Sequence, residues 1–435
     1  MISNSPARSL RFLFLALCVS LLVVAAFNTP VIAQDAAQSK ILAGYFEEWS
    51  IYGANYNIAN LQQNGAANHV SHLIYAFGNV APTSGPPDAT CQLADTWADY
   101  QTPYLPPVIK NKPYPGPLFG NFAALQQLKQ LHPDLKVMVS LGGASSANAA
   151  GFSYAASTAK LRAQLVSSCI DLFINGNVGP GVSAAGIFDG FDIDWEFPSA
   201  SDKHNFTLLL REFRKQLNAL GAANNTQYLL SIFAPAGSDT YANIEMASVG
   251  KQLDFLNVQC YDMHGTWETT TNHASPLYDS PQDPSYGNGF DIEDTIAAYL
   301  AGGVPASKLL VGVPFYGYGW TGVPDTDHGL YQSSTGPAPS PAGDVLGTDG
   351  VATFGTLQTQ PGFTHYLDKV SIAQWIYNPD TATFWTYDTT NTARFKMNYV
   401  NTRVPGGLGG AFFWAFKDDD AHASLVKAMA RGLGR

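Results

Sequence analysis

The stretch Gly186-Ile-Phe-Asp-Gly-Phe-Asp-Ile-Asp-Trp-Glu-Phe-Pro198 places Asp192, Asp194 and Glu196 at every second position, with Phe191, Ile193 and Trp195 between them. Side chains of a strand alternate between its two faces, so the pattern predicts one strand with an acidic face and an apolar face. The apolar set belongs beneath a layer of helices, which turns the acids inward. With the rise of a strand, their Cα atoms lie about 6.5–7 Å apart. Carboxylates confined so closely resist ionising together, so at least one keeps a proton near neutral pH. Glu196, last in the row, is placed to deliver that proton. A solvated acidic strand fits poorly beside Phe191, Ile193, Trp195 and Phe197. A calcium loop needs a turn with a glycine after its third ligand, whereas Trp195 and Phe197 flank the third acid here.

Seven further apolar runs accompany this one: Ile41–Phe46, His72–Gly78, Lys136–Gly142, Tyr228–Ala234, Asp254–Tyr261, Leu309–Phe315 and Leu408–Trp414. Most are separated by segments of helical period, such as Phe122-Leu125-Leu128-Leu131. The alternation predicts an α/β protein built as a (β/α)₈ TIM barrel, with its catalytic groups at the C-terminal strand ends. An open doubly wound sheet would need a glycine-rich nucleotide turn after the first strand, and Tyr45-Phe-Glu-Glu-Trp49 stands there instead. Residues 80–120 form a long excursion rich in Pro and Gly. A second excursion, 319–387, carries Trp320, Tyr331, Phe354, Tyr366, Trp375 and Trp385, enough apolar material for a small α+β insertion between strand 7 and helix 7.

The chain opens with Arg8 and Arg11, an apolar run from Phe12 to Phe27 and small residues before Asp35. That order predicts a signal peptide over 1–33, a catalytic domain over 34–435 and a secreted product. An uncleaved anchor is the competing reading, but the run is short for a ~30 Å bilayer core. Without that segment the chain keeps 21 basic against 34 acidic side chains, which argues against nucleic acid as a partner. Abundant aromatics suit a neutral ligand with apolar faces. Of the cysteines beyond the leader, Cys260 sits in an apolar strand pattern and reads as a buried thiol, which leaves Cys91 with Cys169 as the expected pair.

Asp189-Gly-Phe-Asp192-Ile-Asp194-Trp-Glu196 resembles the DxxDxDxE signature of the family 18 glycoside hydrolases, the chitinases. GYFEEW (44–49), YAFGN (75–79), SLGG (140–143), YDMHG (261–265), GVPFYGYGW (312–320) and GAFFW (410–414) resemble the family's other strand motifs in order. GLYQSSTGPAP (329–339) and WIYNPDTATFWTYD (375–388) resemble the insertion of its bacterial-type subfamily. The resemblance implies that Glu196 is general acid and then base, and that Asp194 bonds the acetamido N–H of the −1 sugar and shares a proton with Asp192. It implies further that Tyr45 and Ser140 steady Asp192. Tyr261 would hold the acetamido oxygen with Asp262 nearby, and Trp414 would floor the −1 sugar. Phe77, Gly142, Gly143, Trp267 and Trp320 would complete the substrate cleft. The family is an exception to the two-carboxylate scheme, because the substrate's own N-acetyl oxygen attacks the anomeric carbon.

The implied activity is hydrolysis of β-1,4 bonds in chitin and chitin oligosaccharides with retention, by a monomer free of the membrane after cleavage, with no cofactor and no metal. Two other activities compete: an endo-β-N-acetylglucosaminidase on N-glycans, and a non-catalytic chitin lectin, which intact Glu196 and Asp194 argue against. Two departures stand out. Ala144 occupies a position where many relatives carry a Trp that stacks on the +1 sugar, and Gln259 stands where a Met is common.

Overall fold

The computed structural model describes residues 39–80 and 89–435; the leader expected over 1–33 lies outside the described residues. Eight parallel strands close a barrel: β1 (Ile41–Glu47), β2 (His72–Asn79), β3 (Lys136–Gly143), β4 (Gly190–Trp195), β5 (Leu229–Ala234), β6 (Phe255–Val258), β7 (Leu309–Pro314) and β8 (Gly410–Trp414). Each pairs with its chain neighbours, and β1 pairs with both β2 and β8, so no edge remains in the ring. This is the (β/α)₈ architecture expected from the eight runs, with helices such as Gly120–Leu131, Lys203–Asn224 and Thr390–Thr402 on the outside.

The alternation in β4 separates as the sequence predicts. Outward, Phe191 packs on Phe213 with ring centroids 5.6 Å apart, and Trp195 lies between Phe152 at 5.3 Å and Phe206 at 5.6 Å. Inward, Asp192 is in register with Ser140 of β3 and Ser231 of β5, and Asp194 with Gly142. Two ends are shorter than the apolar runs suggested. Strand β4 stops at Trp195, so Glu196 stands just beyond it. Strand β6 stops at Val258, because Cys260 (φ 35°) and Asp262 (φ 58°) leave the extended region.

Residues 316–387 build a second, antiparallel sheet whose long strands are Tyr316–Thr321, Thr364–Asp368, Ala373–Asn378 and Thr383–Tyr387. It begins two residues after β7 and has its own core of Trp320, Val323, Leu330, Trp375, Tyr377 and Phe384. Cys91 and Cys169 are joined by a disulfide and Cys260 is a buried free thiol. Among the described residues no helix is long and apolar enough to cross a membrane.

Because Trp195 fills the gap between barrel and helices while facing away from the cleft, Trp195→Ala should cost about 3–5 kcal/mol of stability. Denaturant unfolding should show an earlier midpoint, with the KM of the folded fraction unchanged.

Candidate active site

Asp192 is fully buried and could not stay charged without partners. Four donors reach it: Tyr45 Oη and Ser140 Oγ each donate to Oδ2 at 2.8 Å, Ser231 Oγ donates to Oδ1 at 2.6 Å, and Asn257 Nδ2 donates to Oδ1 at 3.2 Å. Burial raises its carboxyl above the ordinary range and these bonds oppose the rise. With its lone pairs taken, Asp192 is built to remain an acceptor.

One step up the strand, Asp194 has no such escort, and its Oδ1 is buried without a partner. Burial first, then the charges of Glu196 and Asp192, push its carboxyl well above the ordinary value. Glu196 is itself raised by burial to about 7. Both neighbouring acids, Glu196 and Asp192, thus favour a protonated Asp194.

Above these acids opens a cleft of about 540 Å³. Its floor is aromatic: Trp414 lies 5.7 Å from Phe77 and 5.3 Å from Tyr45 between ring centroids, and Trp49 stacks on Phe77 at 5.9 Å. Beneath it, Lys417 Nζ bridges Glu47 at 2.7 Å and Asp418 at 3.0 Å, tying the C-terminal ends of β1 and β8 together. Tyr261 and Asp262 line the same cleft. Burial, then the charges of Asp262 and Asp194, hold the Tyr261 hydroxyl far above its ordinary pKa, so it remains a donor. Asp262 accepts from Tyr316 Oη at 2.6 Å, Tyr318 Oη at 3.1 Å and Gln259 Nε2 at 3.2 Å.

The structure thus brings Asp194, Glu196, Phe77, Gly142, Gly143, Tyr261, Asp262 and Trp414 to one cavity. Tyr45, Ser140 and Asp192 lie directly beneath it, out of reach of a ligand. Gly142 has φ 119° and approaches β4 so closely that a Cβ would sit 2.0 Å from the Asp194 carbonyl oxygen, so only glycine fits. One aromatic expectation needs correction. Trp320 does not extend the cleft: it is fully buried in the insertion core and donates Nε1–H to the Glu268 carbonyl at 3.0 Å. The segment around Glu268–Thr271, bonded to Gln332, covers the face on which Trp320 sits. Trp267 is exposed and stands edge-on to Tyr318 at 5.3 Å, beside the hydroxyl that Tyr318 donates to Asp262. Ala144 and Ser145 line the cleft where a stacking ring was absent from the sequence, and the 80–120 excursion contributes Ala94 to it.

Sequence reading assigned no role to Trp49, Ser231, Asn257, Phe233 or Tyr316. Ser231 and Asn257 carried a visible signal: each is the single polar residue in an apolar barrel strand, LLSIFA and FLNV. Trp49 had none, because it follows the strand on a turn of helix.

A row of acids rising to a proton-bearing carboxyl, in an aromatic cleft at the C-terminal mouth of a (β/α)₈ barrel, defines a glycoside hydrolase. The chain belongs to the glycosyl hydrolases family 18, whose model matches residues 41–419. It is 32% identical to chitinase A1 of Niallia circulans, over 94% of this chain and 60% of that one. To chitinase 1 of Aphanocladium album it is 31% identical, over 97% and 92%. The catalytic domain of the psychrophilic chitinase B from Arthrobacter TAD20 superposes with a TM-score of 0.82 at 34% identity, over 91% of this chain and 96% of that one. The chain therefore spans about 60% of the bacterial chitinase A1 and nearly all of the fungal enzyme.

The raised carboxyl of Glu196 has a thermodynamic consequence. A carboxyl lifted to about 7 in the folded state binds more protons there than in the unfolded chain. Its contribution to stability is complete below the ordinary value of 4.5 and is lost as pH rises through about 7. Glu196→Gln should therefore match the wild type near pH 4 and exceed it above pH 7, by on the order of 3 kcal/mol. Urea unfolding at the two pH values checks this; equal stability at both would show that Glu196 ionises without penalty.

Proposed function

We propose that the chain is a secreted chitinase that hydrolyses β-1,4 bonds between N-acetylglucosamine units with retention, through assistance by the substrate's own acetamido group. The observation that carries this reading is that Asp194, Glu196, Tyr261 and Trp414 line one cleft. A sugar stacked on Trp414 presents its glycosidic oxygen to Glu196, which carries a proton near neutral pH. The acetamido N–H meets Asp194 and the acetamido oxygen meets the Tyr261 hydroxyl, which turns that oxygen toward the anomeric carbon.

As the glycosidic bond breaks, Glu196 gives its proton to the leaving oxygen and the acetamido oxygen closes on carbon 1, forming an oxazolinium ion. Asp194 stabilises the positive charge on its nitrogen. Water then attacks carbon 1, Glu196 takes its proton, and the ring opens with the β configuration kept. Asp192, saturated by donors from four strands, fixes the row of acids below and takes no part in proton delivery to the sugar. The leader over 1–33 and the net acidic charge support export and a neutral ligand, and a monomer acting on chitin oligosaccharides is sufficient for every step.

The acetamido group is the discriminating element. Products of partly deacetylated chitosan, read by mass spectrometry, should carry N-acetylglucosamine at every new reducing end, and NMR should show the β-anomer first. Glucosamine at a substantial fraction of new ends would sink substrate assistance and the roles of Asp194 and Tyr261 with it. Release of glycans from a high-mannose glycoprotein, with chitin oligosaccharides left intact, would transfer the reading to an N-glycan endoglycosidase. Binding of chitin without turnover would make the protein a lectin.

A further inference from the structure

The turn that presents Tyr261 is strained on both sides. Cys260 (φ 35°) and Asp262 (φ 58°) occupy the left-handed region, where residues other than glycine pay a steric cost unless their surroundings hold them. The Asp262 side chain is held by Tyr316, Tyr318 and Gln259, as described. The Cys260 carbonyl has a separate support that the catalytic scheme does not use. Ser275 Oγ–H donates to it at 2.6 Å, and Lys396 Nζ donates in turn to Ser275 Oγ at 2.7 Å.

Lys396 is entirely buried on the helix Thr390–Thr402, and its charge is met by Asp388, buried just after the last strand of the insertion, with Nζ 2.5 Å from Oδ2. A lysine and an aspartate taken out of water are costly to keep and gain little stability over an apolar pair. Their arrangement here instead polarises one hydroxyl: an ammonium bonding to Ser275 Oγ strengthens the bond that the same hydroxyl donates onward. The backbone bond from Met263 N–H to the Ala274 carbonyl at 3.0 Å lays the Ser275 segment against the same turn.

We propose that Asp388, Lys396 and Ser275 form a positioning relay that locks the Cys260 carbonyl, and through it the direction of the Tyr261 hydroxyl, so that the insertion and the helix after it fix the acetamido group of the substrate. Ser275 is the link that touches the turn. This rests on the proposed substrate-assisted reading, because it assigns Tyr261 its acetamido partner. Ligand binding at Trp414 and proton transfer at Glu196 lie outside the relay. Its loss therefore shows in the step that needs the acetamido oxygen aligned, not in ground-state affinity.

The test compares the full chain with Ser275→Ala and Ser275→Thr on a chromogenic N-acetylglucosamine oligosaccharide. Ser275→Ala should lower kcat about tenfold, as expected for a reacting group held slightly out of line, with KM within about twofold. The affinity for a thiazoline mimic of the oxazolinium ion should weaken by the same factor as kcat/KM. Ser275→Thr, which restores the hydroxyl, should recover both. The double variant Lys396→Met with Asp388→Leu removes both buried charges together and should repeat the effect; if it does not fold, Ser275→Ala alone decides. Unchanged kcat and thiazoline affinity in Ser275→Ala, or a loss no greater than its loss of folded protein, overturns the relay. A wild type inactive on the oligosaccharide overturns the substrate reading and the relay together, whereas an active wild type with a normal Ser275→Ala variant overturns the relay alone.

Discussion

A single buried carboxylate organises this barrel. Asp192 sits in its interior among Ala43, Ile74, Met138, Phe255, Leu310 and Phe412, where an unpaired charge would be forbidding. It is tolerable because Tyr45 from β1, Ser140 from β3, Ser231 from β5 and Asn257 from β6 all donate to it. Asn257 Nδ2 also donates to Tyr45 Oη at 3.2 Å, so the donors are themselves oriented. Four of eight strands are thereby pinned in register to one point, and Asp194 on β4 and Glu196 just past its end inherit their positions from it.

That arrangement separates the acids of the row. Donors surround Asp192 and oppose the rise that burial imposes on it, whereas Asp194 is raised by burial and by both of its acidic neighbours. Asp194 and Glu196 face the aromatic-lined cleft, and burial raises both. Identical residue types two positions apart thus acquire different work from their surroundings: a fixed acceptor below, a proton-holding pair above. The Tyr261 hydroxyl, which the same burial keeps protonated, completes a site made of neutral donors and one mobile proton.

Much of this was legible because period-two alternation is unambiguous when one face is aromatic and the other acidic. The eight strands, the inward set of Asp192 and Asp194, the Cys91–Cys169 pair and the glycines at 142 and 143 follow from local pattern and the family motifs. Trp320 did not, and the reason is instructive. It shares its face of the strand with Tyr316 and Tyr318, both of which reach Asp262 at the cleft, so alternation places all three together. Whether that face is open or covered depends on the segment near Glu268, some 50 residues away in sequence, and no periodicity reports it. The shortened β6 has the same origin, since the apolar run continues through Cys260 while the backbone has already turned.

The insertion gains a second meaning from these contacts. An aromatic subdomain beside a cleft invites reading as a wall for the substrate, and Trp320 was expected to serve that way. Its aromatic mass instead packs into its own core, and what it sends to the site is small: the hydroxyls of Tyr316 and Tyr318 on Asp262, and Asp388 on the buried Lys396. Each of these bears on the strained turn around Tyr261, from its side-chain side and its carbonyl side respectively. A turn with two left-handed residues would relax if unsupported. On the proposed relay, the sheet over 316–387 and Asp388 just after it serve to over-determine one short piece of backbone, which is a demand on rigidity and not on surface area.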